Sequence, residues 1–293
     1  MQSEKRLRGP APIRGKSSRA SKESRSVVTP QMAKGRLIDR RYVVPGLSRG
    51  LALLQLFTRD EPQRSLSELA TGLRVSRSAA YRLVYTLEMD GFLVRDPQTR
   101  RYKVTANILS LGFEYLGAQA VVEMAQPTLL SLSERTRAAA HVAVLDGWHS
   151  VYLARVAPAV SLVTNLQVGT RLPAHLTASG RILIAQLDDE RQARLFYDLQ
   201  RECRVGGLPR SLTAMRTTAL ADRKRGYVYH VSAFDPGVMS IAAPVRDQVG
   251  TAIAAITVIG STALFEKWGG ESALAPLVLE AAGALSGRLG YRD

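Results

Sequence analysis

In the stretch SLSELATGLRVSRSAAYRLVYTLEMDGFLVRD, residues 65–96, Leu66, Leu69, Ala70 and Leu73 recur at i, i+3, i+4 and i+7. That spacing gives a helix one apolar face. Ser65 and Glu68 stand as a capping box at its start. Gly72 is read as interrupting the helix, and RVSR supplies a turn with Ser76 as the next N-cap. In the second helix, Ala80, Leu83, Val84 and Leu87 repeat the spacing, which turns Arg77, Ser78, Tyr81, Arg82 and Tyr85 outward. Gly91 ends this helix. Phe92 and Val94 then alternate against Tyr102 and Val104 around a proline-containing turn, which predicts a hairpin. Upstream, Leu47, Leu51 and Leu54 predict a first helix packed over the pair. Helix, helix, turn, helix and two-stranded wing is the order of a winged helix-turn-helix, expected over residues 42–105.

In such a domain the second helix of the motif enters the major groove, and caps and wing hold phosphates. Arg77 and Arg82 suit bidentate contact with guanine or a phosphate, Ser78 takes either partner, and Tyr81 offers a hydroxyl and a ring edge. Ser65 and Ser76 at the helix starts, with Arg100 and Arg101 at the wing tip, complete the expected contact set with double-stranded DNA. Any surface helix shows Arg and Ser on its wet side. The coincidence of caps, turn, wing and a basic tail is what points to DNA.

Beyond the wing, residues 106–120 carry apolar side chains on more than one face, including Ile108, Leu109, Leu111, Phe113, Tyr115 and Leu116. A helix of that kind needs partners on several sides. It is expected to link the two domains and to pair two subunits. Residues 121–293 read as an antiparallel sheet with helices packed on it, so the fold class is α+β. AHVAVLDGWHSVYLARV is a hairpin turning at Asp146-Gly147. SLVTNLQV and GYVYHVSAF are further strands, and MSIAAPVRDQVGTAIAAITVIG is a second buried pair. Helices are expected at 177–187, 189–203, 213–225 and 271–289, the last striped by Leu274, Leu277, Val278, Ala281, Leu285 and Leu289.

Composition narrows the classes. Of the net charge of +15, residues 1–41 hold twelve Lys and Arg against Glu4, Glu23 and Asp39. They are expected to form a disordered basic tail that gathers polyanions without reading sequence, or to be a solubilising extension. No apolar run is long enough to span a bilayer, and the start lacks the apolar core of a secretory signal, so a cytoplasmic protein without membrane contact is expected. Cys203 cannot form an internal disulfide and reads as a surface thiol on a polar helix. Phosphate-loop, nucleophile-elbow, zinc-protease and dinucleotide motifs are all missing, and His141, His149, His175 and His230 lack helical ligand spacing. The protein is therefore expected to be no enzyme, to carry no catalytic residue and to bind no metal or cofactor. The alternative to a sensor is a constitutive DNA-binding protein whose C-terminal domain only oligomerises.

Taken together, the helix-turn-helix stretch with HVAVLDG, VGTRLPAHLTASGRILIA and RGYVYHVSAFDPGVMSIAAPVRDQVGTAIAAITVIG resembles the IclR family of bacterial transcriptional regulators from about Val43 to Gly290. The resemblance implies a winged helix-turn-helix, a dimerising linker helix and a C-terminal GAF-like domain that binds a small effector. It also implies dimers, or dimers of dimers, on palindromic operators. NLQVGTRLPAH is similar to the branch that controls catabolism of aromatic acids such as protocatechuate or 4-hydroxybenzoate.

The same resemblance maps an effector pocket onto Ala178, Ser179, His230, Ser240, Thr257 and Ile259. His230 stands where the family usually has an acidic residue, and Ser240 where it usually has a cysteine. Both departures disfavour a ligand like glyoxylate or pyruvate. Read from the residues, backbone N–H groups at the helix start near Thr177–Gly180 attract a carboxylate, with Arg171, His175 and His230 as further donors. Leu172 and Ile259 would wall an aromatic ring. The expected effector is an aromatic carboxylate, a hydroxylated benzoate or a close relative.

Overall fold

The computed structural model describes residues 40–58, 60–112, 120–157 and 166–292. Of the expected elements, the basic tail up to residue 39, residues 113–119 of the linker helix and residues 161–165 of the strand SLVTNLQV lie outside them. The described chain divides into a small compact unit ending at Val104 and a larger one starting at Thr105.

In the small unit, α1 (Pro45–Leu54), α2 (Leu66–Leu73) and α3 (Arg77–Met89) precede a ribbon of β1 (Leu93–Arg95) and β2 (Tyr102–Val104). The capping box forms as expected: Ser65 Oγ accepts from the Glu68 N–H, and Glu68 Oε2 accepts from the Ser65 N–H at 2.8 Å. Leu53, Leu69, Val84, Leu93 and Tyr102 close one core. Each such side chain contributes about 1.5–3 kcal/mol by leaving water.

Three local expectations are corrected by this packing. Gly72 does not break α2. It lies inside the helix, where a Cβ would meet Leu56 Cδ1 at 2.9 Å, and the left-handed Arg74 ends the helix instead. In the wing, Leu93 is the buried member of β1 and Val94 is exposed, because Phe92, Leu93 and Val94 are all apolar and alternation alone leaves the phase open. On α1, Leu53 faces inward with Leu54 beside it, whereas Leu47 and Leu51 are exposed.

The larger unit is built on one antiparallel sheet of six strands, in the order β5-β4-β3-β8-β7-β6. These are β3 (Ala139–Asp146), β4 (His149–Val156), β5 (Arg171–Pro173), β6 (Val228–Val231), β7 (Val238–Arg246) and β8 (Ala252–Ser261). The short edge strand β5, not expected from the sequence, pairs with β4. On one face lie α4 (Ala120–Thr136) and, near the chain end, α9 (Glu271–Arg288), packed over Val142, Leu153, Ile241, Ile256 and Val258. The stripe expected on α9 is the face it buries, through Leu274, Val278, Ala281 and Leu285. On the other face lies α5 (Ala178–Gln186), whose Ala178, Ile182 and Leu183 meet Val228, Ala242 and Ala255. Outside it, α6 (Asp189–Glu202) and α7 (Leu212–Arg225) form a further layer with Cys203, which is buried rather than a surface thiol. A short α8 (Thr262–Lys267), not expected from the sequence, leads into α9. Covered on both sides, the central strands read as nearly continuous apolar runs. Among the described residues no helix is long and apolar enough to cross a membrane.

The first turn of α5 makes a close backbone approach to Ala174, which follows β5. A Cβ on Gly180 would lie 2.2 Å from the Ala174 carbonyl oxygen and 2.4 Å from Ala174 Cα, atoms that cannot swing aside. Gly180→Ala is therefore expected to lower the unfolding free energy by about 1–3 kcal/mol. Urea unfolding measures it, and an unchanged midpoint would contradict the packing described.

Candidate nucleic-acid interface and ligand site

Helix α3 starts at Ser76, whose Oγ accepts from the Ala79 N–H at 3.2 Å and contacts Ser78 Oγ at 3.1 Å. Ala80 and Val84 are buried, which leaves Arg77, Ser78, Tyr81, Arg82 and Tyr85 exposed along one side, the two tyrosine rings 6.2 Å apart. The guanidinium groups of Arg77 and Arg82 join no ion pair among the described residues. Arg64, Arg95 and Arg101 of the same unit are engaged with Glu61, Tyr102 and Glu68, which leaves Arg77 and Arg82 among its free cations.

The wing arginines differ from one another. Arg100 stands at the tip in a left-handed conformation, φ 56°, inside a turn in which Asp96 accepts from the N–H groups of Gln98 and Thr99. Arg101 is not at the tip. It donates to Glu68 Oε2 at 2.6 Å and to the Gln63 carbonyl at 3.1 Å, tying the wing to the capping box of α2. The Ser65 N–H and the Arg101 guanidinium together hold the Glu68 carboxyl below its usual range.

In the larger unit, the sheet face under α5 carries an unusual amount of polar chemistry. Ser150 Oγ lies 3.1 Å from Thr177 Oγ1 and 3.2 Å from Ser179 Oγ, and Ser179 donates to the Tyr152 hydroxyl at 3.4 Å. Thr177 Oγ1 also accepts from the Gly180 N–H at 3.0 Å, so the start of α5 is capped by its own side chain. Ile259 and Leu172 pack with Tyr152 and Val238 as an apolar wall, as expected for two of them. Ser240 and Thr257 are on this face, but each hydroxyl is committed to backbone, Ser240 to the His230 carbonyl and Thr257 to the Ile241 carbonyl. Ala178 is buried against the sheet.

Of the remaining expected residues, His230 pairs with Ser240 across β6 and β7 and so shares its face, whereas His175 stands elsewhere. His175 lines a separate cavity of about 240 Å³ with Arg181, Met215, Thr218 and Asp222. His230 points its Nδ1 at Arg181 Nη1, 3.5 Å away, where Arg181 holds the buried Asp222 through both carboxylate oxygens. Arg171, read as a donor to the ligand, is paired with Asp146 at 2.7 Å.

Two residues on the same sheet face escaped the sequence reading, Arg155 and Tyr152. Opposite Leu145, Ala143 and His141 of β3 stand Ser150, Tyr152 and Arg155 of β4, and the step from 152 to 155 marks a bulge. Strict alternation through SVYLARV would put Tyr152 and Arg155 on opposite faces. The extra residue brings both to the inner one. His141 is fully buried, its ring 5.5 Å from that of Tyr152 and edge-on to it, and neither its nitrogens nor Arg155 Nε has a hydrogen-bond partner among the described residues. Burial, then the Arg155 charge, lowers the His141 pKa to about 3, and burial likewise lowers His175 and His230, so these rings are neutral. Among the described residues no three His, Cys, Asp or Glu side chains gather as a metal site.

Comparison with known proteins agrees along most of the chain. A model of the IclR helix-turn-helix domain matches residues 46–97, and one of the bacterial transcriptional regulator IclR C-terminal region matches residues 113–287. The Pca regulon regulatory protein of Pseudomonas putida is 33% identical over 216 residues, 72% of each chain. The p-hydroxybenzoate hydroxylase transcriptional activator of Acinetobacter baylyi is 31% identical over 231 residues, 75% of this chain and 82% of that one. In fold, the chain is similar to an IclR homolog from Microbacterium hydrocarbonoxydans solved with 4-hydroxybenzoate, with TM-score 0.69 and 21% identity over 83% of this chain and 98% of that one.

The buried histidine sets a pH dependence. With its pKa lowered from 6.5 to about 3, His141 takes up a proton in the unfolded chain before it does in the folded one. Its contribution is complete above pH 6.5 and is lost as the pH falls toward 3. From pH 7 to pH 5 the native protein is expected to lose about 2 kcal/mol through this residue. His141→Gln should flatten that part of the curve in urea titrations at the two pH values, and parallel curves for the two proteins would refute it.

Proposed function

Because the chain belongs to the IclR family of bacterial transcriptional regulators, we propose that it is a ligand-responsive repressor or activator of an operon for catabolism of an aromatic or organic acid. It binds double-stranded DNA through α3 and the wing, and a small carboxylate held on the inner sheet face changes that binding. The observation that carries the reading is the pair of unengaged arginines, Arg77 and Arg82, on the exposed side of a doubly capped helix-turn-helix. Relatives named for the Pca regulon and for p-hydroxybenzoate hydroxylase support the aromatic-acid branch. Each α3 reads one half-site, so a homodimer or dimer of dimers on a palindromic operator suits the chain. The protein acts in the cytoplasm, as DNA regulation requires, and needs no cofactor.

Ser76 and Ser65 serve this reading chiefly by starting their helices, and Arg101 by fixing the wing. Arg77, Ser78, Tyr81 and Arg82 are then the groups that meet bases and nearby phosphates, with Arg100 at the wing tip. Arg77→Ala and Arg82→Ala are each expected to cost about 1–3 kcal/mol of operator binding while leaving thermal stability unchanged. Fluorescence anisotropy on duplexes from upstream of the gene measures this, and full affinity in both variants would remove α3 from the interface.

A thermal-shift screen of the full-length protein with benzoate, hydroxylated benzoates and short aliphatic acids separates a sensor from a constitutive binder. A ligand specific to the native state raises its apparent stability, by about 2.7 kcal/mol at a hundredfold excess over Kd. Stabilisation by a hydroxylated benzoate is expected. No shift with any acid would favour a DNA-binding protein whose larger unit only oligomerises.

A further inference from the structure

Among the described residues, Arg155 on the inner sheet face has no ionic partner. No Asp or Glu stands on this face of β3, β4, β7 or β8, as the register and the sequence place their residues. Arg155 is half-buried there with its Nε fully buried and without a partner, and the fully buried His141 directly across the strand pair leaves both ring nitrogens unmatched. A buried guanidinium N–H left without an acceptor is costly. Two adjacent side chains with unused hydrogen-bonding atoms, brought to one face by a bulge, offer a contact for an anion.

We propose that Arg155, with His141 beside it, is the anchor for the effector's carboxylate. The proposal rests on the effector reading above and moves its anionic contact from the start of α5 to strand β4. The start of α5 is already closed by Thr177 Oγ1 and crowded by Ser150 and Ser179, whereas Arg155 has N–H groups in the fork geometry that meets two carboxylate oxygens. The neutral His141 ring adds one donor. The site therefore takes a single negative charge. Next along the strand pair, Tyr152 lies over Ser179 and against Ile259, Val238 and Leu172, a surface of one hydroxyl chain and one apolar wall. That combination takes a flat ring with a hydroxyl substituent. The ligand class is a hydroxylated aromatic monocarboxylate, with the acid at Arg155 and the ring toward Tyr152. A dicarboxylate would bury a second charge with no partner.

Calorimetry on the full-length protein tests this with 4-hydroxybenzoate and its neutral counterpart 4-hydroxybenzamide, using the native chain, Arg155→Met and Arg155→Lys. The native protein is expected to bind the acid at least about tenfold more tightly than the amide. Arg155→Met should lose that preference and leave the amide unaffected, and Arg155→Lys should keep part of it as a point charge without the fork. Melting without ligand separates an anchor from a structural residue. Arg155→Met should melt at or above the native temperature, since a buried N–H without a partner has been replaced by an apolar chain. Equal affinity of the native chain and Arg155→Met for the acid, or a markedly lower melting temperature of the unliganded variant, overturns the anchor and leaves the effector reading standing. If the native chain binds neither the acid nor the amide, the anchor and the aromatic reading fall together.

Discussion

The first turn of α5 folds back on Ala174 because residue 180 is a glycine, and the polar cluster at the head of that helix forms beside this contact. The approach of Gly180 to Ala174 brings Thr177 and Ser179 down onto Ser150 and Tyr152, so polar side chains are trapped between helix and sheet instead of facing water. Buried polar groups are tolerated when they satisfy one another, and four of these do. Arg155 Nε and His141 do not, and their unmet donors lie beside that satisfied network. A stable protein that keeps such a pair in its interior has a use for it outside folding, and an anionic ligand is the simplest one.

The two units handle positive charge in opposite ways. On the small unit the cations sit in water on α3, where pairing within the chain would only weaken their attraction to phosphate. Arg101, which looks equivalent in the sequence, is drawn back by Glu68 and stiffens the domain instead. In the larger unit Arg155 is half withdrawn from water with its Nε buried, where charge-assisted hydrogen bonds are strong and selective. The first arrangement suits a long polyanion and the second a small, single anion.

Much of this was legible in the residues. Both helix starts, the turn at Gly91, the hairpin at Asp146-Gly147 and the stripe on α9 follow from caps, glycines and periodicity, and the structure places them where expected. The misses share a cause. Where three apolar residues run together, as at Phe92–Val94, period-2 reasoning has no phase, and only packing against Tyr102 selects Leu93. Gly72 and Gly180 are glycines for what approaches them, which no local pattern displays. The bulge in β4 is the most consequential miss, because one extra residue changes the face of everything after it and so concealed Arg155 from a reading by alternation. Of the residues expected at a pocket, Ser179, Ile259, Leu172 and His230 lie toward the inner face, whereas His175 lines the cavity beside α7.

In a ligand-responsive regulator, a ligand on the sheet face and DNA on α3 are energetically coupled, and coupling between two binding sites is reciprocal. The direct test is to titrate 4-hydroxybenzoate into the full-length protein twice, once free and once saturated with its operator duplex. The account predicts that the acid's affinity differs between the two titrations by the same factor by which the acid changes operator affinity. Identical acid affinity with and without operator would mean that the two sites do not communicate, and the protein would not be a ligand-responsive regulator through them.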